Sequence, residues 1–145
     1  TFIKHHLNIP VLFTCAIVDI DIKNNELIYC SAGHPDQLVL INNELKNLFT
    51  TKSAMIGLLE DFEFNQTKYN FSSGDRIFLF TDGIFEVFSQ DEKIFGEKNL
   101  KKIIDANKNK SFEQIYEIII QHTLKICETV KQTDDITTIF IENNT

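Results

Sequence analysis

The stretch from Arg76 to Phe88, "RIFLFTDGIFEVF", decides how this chain is read. Ile77, Phe78, Leu79 and Phe80 form an unbroken apolar run, the pattern of a strand buried on both faces. The run stops at Thr81, Asp82 and Gly83, and apolar residues resume at Ile84 and Phe85. A carboxylate followed by glycine at the mouth of such a strand has two readings. Asp-Gly is a common turn pair. The alternative is a metal or catalytic site held at the strand end.

Upstream of this stretch the chain reads as strands. Residues 11–22, "VLFTCAIVDIDI", are rich in β-branched side chains and predict one; Lys23 to Glu26 is a hairpin turn, and "LIYCSAG" is the returning strand. Residues 37–41 and 45–49 follow around the polar Asn42-Asn43-Glu44, extending an antiparallel meander. Residues 52–60 form a loop, and "FEFNQTKYNF" (62–71) alternates apolar and polar, as a half-buried strand does. "SSGD" (72–75) turns the chain into the strand 76–81.

Downstream the period changes to that of helices. A short helix is expected over 83–88 and another over 97–107, where Leu100, Ile103 and Ile104 share a face. Ser111 and Gln114 have capping-box spacing, and Ile115, Ile118, Ile119, His122 and Ile126 form a stripe that places His122 partly in the core. Residues 134–142, "DDITTIFIE", close the chain as a β-branched strand. The fold class is therefore α+β, a single domain over 1–145 with a sheet or sandwich covered by helices.

Composition narrows the function. The chain has 145 residues, 43% of them apolar and 24% charged, ordinary values for a globular domain. A net charge of −7 with lysines dispersed disfavours a nucleic-acid partner, which needs a basic stripe. Cys15, Cys30 and Cys127 form no CxxC pair and suit buried free thiols in a reducing compartment. No apolar run approaches the roughly 18 residues of a membrane span, so a cytoplasmic location is expected. The opening Thr1-Phe2-Ile3 lacks a methionine, as in a piece of a longer polypeptide.

The last strand carries a second acidic corner. Asp134 and Asp135 stand immediately before Ile136. If strands 76–81 and 136–142 are antiparallel neighbours, the end of one lies beside the start of the other, and Asp82 converges with Asp134. Clustered carboxylates repel unless a cation or a shared proton intervenes. Oxygen donors without a histidine or cysteine cluster suit Mg²⁺ or Mn²⁺ better than Zn²⁺.

The segments "FTCAIVDID", "LIYCSAGHP", "MIGLLEDFEF", "SSGDRIFLFTDGIFEVF", "FGEKNL" and "QTDDITTIFIE" resemble, in order and spacing, the SpoIIE/RsbU-type serine phosphatases of the PPM (protein phosphatase 2C-like) superfamily. The resemblance runs over nearly the whole chain. It implies an antiparallel β-sandwich flanked by helices, with two Mn²⁺ or Mg²⁺ ions activating a bridging water against a phosphoserine or phosphothreonine. It places Asp82 and Asp134 as metal ligands and the catalytic pair. Asp135 orients a ligand or a bound water, and Gly83 lets the backbone turn closely beside the ion. His34, in the loop Ser31 to Pro35, is assigned to stabilising that loop.

The family's front motifs, a Gly-Asp-aromatic-aromatic-Asp strand and a Gly-Asp-x-x-Gly-His-Gly loop, do not occur in the chain. The chain thus reads as the C-terminal portion of such a domain, missing its N-terminal strands and inactive by itself. Its exposed sheet edges would then favour self-association. The implied substrate is a phosphorylated anti-anti-sigma (STAS-type) regulator. An upstream sensor domain, soluble or membrane-anchored, is the other implied partner. A protein-docking module that keeps the fold without a complete metal centre is the alternative.

Overall fold

In the computed structural model, residues 11–84, 96–128 and 134–145 are described. Seven strands are found: β1 (Cys15–Asp21), β2 (Glu26–Ala32), β3 (Gln37–Ile41), β4 (Glu44–Leu48), β5 (Thr67–Asn70), β6 (Arg76–Phe80) and β7 (Thr138–Glu142). A 3-10 turn spans Asp82–Ile84, and two helices follow, α1 (Glu97–Asn107) and α2 (Phe112–Cys127). The strands form two sheets, ordered β1-β2-β5 and β4-β3-β6-β7. The class is α+β, as expected.

The chain divides into two compact units. The first takes Thr1–Gln37, Asn47–Gly74 and Asn143–Thr145, and holds the sheet β1-β2-β5. β1 and β2 pair antiparallel with Ile17 opposite Cys30 and Cys15 opposite Ala32. Cys15 and Cys30 are therefore diagonal neighbours on one sheet face. Burial pushes the Cys30 thiol up, with Cys15 adding to the effect, as suits a packing thiol. On the opposite face Leu27 and Tyr29 are buried, and burial raises the Tyr29 phenol to about 12, against a smaller downward pull from Ser31.

Three strand expectations are corrected here. The first strand begins at Cys15, not at residue 11. Upstream of it Phe13 makes an isolated bridge with Ile56, where Gly57 at φ +89° lets the Val11 carbonyl approach closer than any side chain would allow. The stretch 62–71 forms a strand only over Thr67–Asn70. Its leading aromatics instead pack on each other, Phe62 and Phe64 edge to face at 4.8 Å. The strands do not form one consecutive meander either, since β5 returns to β2 while β3 pairs with β6.

The second unit takes Leu38–Lys46 and Asp75–Glu142. β6 pairs antiparallel with β3 on one side and β7 on the other, so its apolar run sits at the centre of the sheet. Phe78 and Phe80 are buried with Leu38, Leu40, Ile84, Leu100, Ile104, Ile115 and Ile119 in one cluster. Phe78 meets Phe112 and Phe140 edge to face at 5.7 and 5.1 Å, contacts worth about 0.5–1.5 kcal/mol each beyond their area.

α1 buries Leu100 and Ile104, with Ile103 packed alongside. α2 begins with the expected capping box: Ser111 Oγ accepts from the Gln114 N–H while Gln114 Oε1 accepts from the Ser111 N–H. His122 does not lie in its core; it is exposed. The buried line is Ile115, Ile119 and Thr123, at i, i+4 and i+8, and the Thr123 hydroxyl is satisfied by donating to the Ile119 carbonyl at 2.9 Å. Among the described residues no helix is long and apolar enough to cross a membrane.

Candidate functional site

The two acidic corners meet in the second unit because β6 and β7 run antiparallel. Phe80, the last residue of β6, stands opposite Thr138, the first of β7. The chain leaving β6 therefore enters Thr81-Asp82-Gly83 beside the segment Asp134–Thr137 that leads into β7. The assumed pairing of these strands is the observed one.

Thr81 extends the ladder by one step. Its N–H donates to the Thr137 carbonyl at 3.0 Å. Its hydroxyl makes two further bonds, donating to the Asp135 carbonyl at 3.2 Å and accepting from the Thr137 N–H at 2.9 Å. Asp82 then opens the 3-10 turn, with Gly83 and Ile84 buried behind it. A β-carbon on Gly83 would lie 2.4 Å from the Asp135 carbonyl oxygen and 3.2 Å from that of Asp134. Glycine is needed here for close approach of two backbones.

The peptide linking Asp134 to Asp135 is gripped from the other side as well. The Asp135 N–H donates to Asp134 Oδ1 at 2.8 Å, tying that carboxylate to its own main chain. Asp82, Asp134 and Asp135 are all exposed. The main chain of Asp135 is thus engaged at both its N–H and its C=O.

A recess of about 510 Å³ opens alongside, lined by Asp135, Ile136 and Thr137 and by Ile120, Thr123, Leu124 and Cys127 of α2. Among the described residues, no group of three or more His, Cys, Asp or Glu side chains is gathered that could hold a metal ion.

Other residues singled out in the sequence have structural positions. In the first unit His34 Nδ1 lies 3.2 Å from Thr14 Oγ1, and its carbonyl accepts from Ser31 Oγ at 3.0 Å, which is a loop-holding role. Asp75 is buried in the second unit, where its Oδ1 accepts from the Asn42 N–H at 2.9 Å and braces the turn between β3 and β4. Most of the helix expected over 83–88 lies outside the described residues. Thr81 is the residue that sequence reasoning passed over. Its only signal is a hydroxyl on a β-branched side chain directly before Asp-Gly.

The family described as Stage II sporulation protein E (SpoIIE) matches the chain over residues 1–144. The chain belongs to the SpoIIE family. Protein IcfG of Synechocystis sp. (strain ATCC 27184 / PCC 6803 / Kazusa) is 28% identical over 125 residues, which are 86% of this chain and 20% of that protein. Phosphoserine phosphatase RsbU of Bacillus subtilis (strain 168) is 24% identical over 143 residues, 96% of this chain and 41% of its own length. Phosphoserine phosphatase RsbP of the same organism is 32% identical over 73 residues, 50% of this chain and 18% of its own. The chain therefore spans less than half the length of each of these curated relatives.

Solved structures agree on the fold. The SiaA-PP2C domain of Pseudomonas aeruginosa superposes with a TM-score of 0.72 at 17% identity, covering 97% of this chain and 56% of that one. The phosphatase domain of SpoIIE from Bacillus subtilis, determined after presoaking with Mn, gives a TM-score of 0.70 at 15% identity, covering 92% and 57%. The SpoIIE-family chain thus has part of the α+β fold of PP2C phosphatase domains, and its family is one of serine/threonine phosphatases.

Proposed function

We propose that this chain is part of a metal-dependent phosphatase domain in which Asp82 and Asp134 hold a divalent cation, Mn²⁺ or Mg²⁺, beside a phosphoserine or phosphothreonine. The observation that carries this reading is the packing of the Asp82-Gly83 turn on the Asp134–Asp135 peptide in a chain of a phosphatase family. The donor set suits the cation: both carboxylates are hard oxygen ligands and both are exposed at strand mouths. The described residues supply part of a coordination shell, since no third acidic or imidazole group joins them there.

When bound, such a cation lowers the pKa of a coordinated water and neutralises phosphoryl oxygens. The chain's own residues do the rest by placement. Asp82 is presented by a turn at the end of β6, whose Ile77, Phe78 and Phe80 are buried. Asp134 is held by the Asp135 N–H, which orients its carboxylate. Asp135 acts through its main chain, and Gly83 keeps the two backbones in contact.

The two relatives named phosphoserine phosphatases support a phosphoserine-bearing substrate, which we take to be a phosphorylated anti-anti-sigma (STAS-type) protein. The length of those relatives beyond the matched region leaves room for a further domain, which we take to be an upstream sensor. The same names speak against a docking module that has lost its chemistry, as does the presence of both carboxylates at one corner.

Calorimetric titration of Mn²⁺ into the chain, with Asp82→Asn and Asp134→Asn alongside, tests the reading. Saturable binding lost in both variants is expected. Binding that survives in both would remove these residues from any metal centre.

A further inference from the structure

We infer that Thr81 is the positioning residue of this corner: its hydroxyl fixes the separation of Asp82 from Asp134. This rests on the reading of those two aspartates as metal ligands. The path between them runs through the main chain of one residue, Asp135. The Thr81 hydroxyl donates to the Asp135 carbonyl at 3.2 Å, and Gly83 stands against that same carbonyl oxygen. Asp82 lies between these two holding points in the chain. On the other side of the Asp135 α-carbon its N–H donates to Asp134 Oδ1 at 2.8 Å. Asp82 and Asp134 are thus linked by a short series of contacts along the Asp135 main chain, to which Thr81 contributes its hydroxyl.

That hydroxyl is used in both directions. It accepts from the Thr137 N–H at 2.9 Å while it donates to Asp135. The two bonds span Asp135 to Thr137, the residues just ahead of β7, where the strand ladder has not yet begun. Without them the bond from the Thr81 N–H to the Thr137 C=O remains at this level. A single bond leaves rotation about its axis, whereas three bonds to three successive peptides do not. Threonine suits the position for a second reason. Its branched β-carbon restricts χ1, so the hydroxyl is held in direction by the strand backbone. Hard cations such as Mg²⁺ demand near-ideal geometry from their ligands, so a small drift of one carboxylate is felt as lost affinity.

Thr81→Val keeps the shape and removes the hydroxyl, and Thr81→Ser keeps the hydroxyl. Two measurements on the full chain separate the possibilities: Mn²⁺ affinity by calorimetry, and amide exchange at Thr81 and Ile84, whose N–H groups do not bond the removed oxygen. Thr81→Val is expected to weaken Mn²⁺ binding by about 10- to 100-fold, the range for residues that orient a metal ligand, and to speed exchange at both amides. Thr81→Ser is expected to restore both values towards those of the unmodified chain.

If Thr81→Val remains folded and keeps wild-type affinity, the inference is overturned. It is also overturned if Thr81→Ser fails to rescue, because the methyl group rather than the hydroxyl would then be the active part. If the unmodified chain binds no Mn²⁺, the metal reading fails separately. The exchange data then decide alone: faster exchange in Thr81→Val sustains the positioning role, and unchanged exchange removes it.

Discussion

Gly83 stands where a β-carbon would come within 2.4 Å of the Asp135 carbonyl oxygen, closer than real atoms approach. The obstruction is main chain, so it cannot swing aside as a flexible side chain would. Gly83→Ala must therefore move the turn or the entry to β7. A loss of about 1–3 kcal/mol is expected, as for other overpacked sites, and urea unfolding measures it. An alanine variant as stable as the parent would mean the two backbones are not in contact. The composition of this corner was legible at residue scale, since Asp82, Gly83, Asp134 and Asp135 stand out in the sequence. The main-chain bonding of Asp135 was not: its N–H and C=O tie it to its neighbours, and no side-chain identity announces that. His122 shows the same limit: one residue along a helix is a rotation of about 100°, enough to exchange a core position for an exposed one with Thr123.

Among the elements, β6 is joined to its surroundings at both ends. Its last residue leads to the acidic corner, and its first, Arg76, sits opposite Glu142 in the β6–β7 register. Arg76 Nε donates to Glu142 Oε1 at 2.8 Å, and Nη1 donates to the carbonyls of Lys108 and Lys110 at 3.0 and 2.7 Å. Its guanidinium also lies 5.0 Å from the Phe112 ring centroid. One side chain thus ties two strands to the connection between α1 and α2. Lysine keeps the charge but cannot present a planar fork in these directions. Arg76→Lys is expected to lower stability by about 1.5–3 kcal/mol, the scale of hydrogen bonds to a charged group. A thermal or urea shift within about 0.5 kcal/mol, as for ordinary surface changes, would show the fork to be dispensable. The strong elements were legible because their periods are local: the apolar run of β6, the α1 face and the Ser111 capping box. The stretch 62–71 was misread because alternation does not fix strand pairing: Phe62 and Phe64 meet each other edge to face ahead of the strand, and Phe64 stays exposed.

For the whole molecule, the decisive quantity is how much sheet edge the described residues leave open. β1 and β5 border one sheet, and β4 and β7 the other. β1 carries Ile17 at 58% exposure and β7 carries Ile139 at 52%, with the hydrogen-bonding edge of each strand unpaired by any described strand. Such edges template pairing with a second chain. Sedimentation velocity is expected to show association that grows with concentration, reduced by Ile17→Lys with Ile139→Lys. A chain that stays monomeric at every concentration would contradict this. The α+β class, the family and the four residues of the acidic corner were determined by the sequence alone, because burial pattern, turn chemistry and motif spacing are properties of neighbouring residues. Only the tertiary structure decided that the strands divide into two sheets, that β6 lies between β3 and β7, and that Thr81, Gly83 and the Asp135 main chain hold the two carboxylate segments together. Those outcomes depend on which distant backbones reach one another, and hydrogen bonds between peptide groups leave no mark on the side chains that a sequence records.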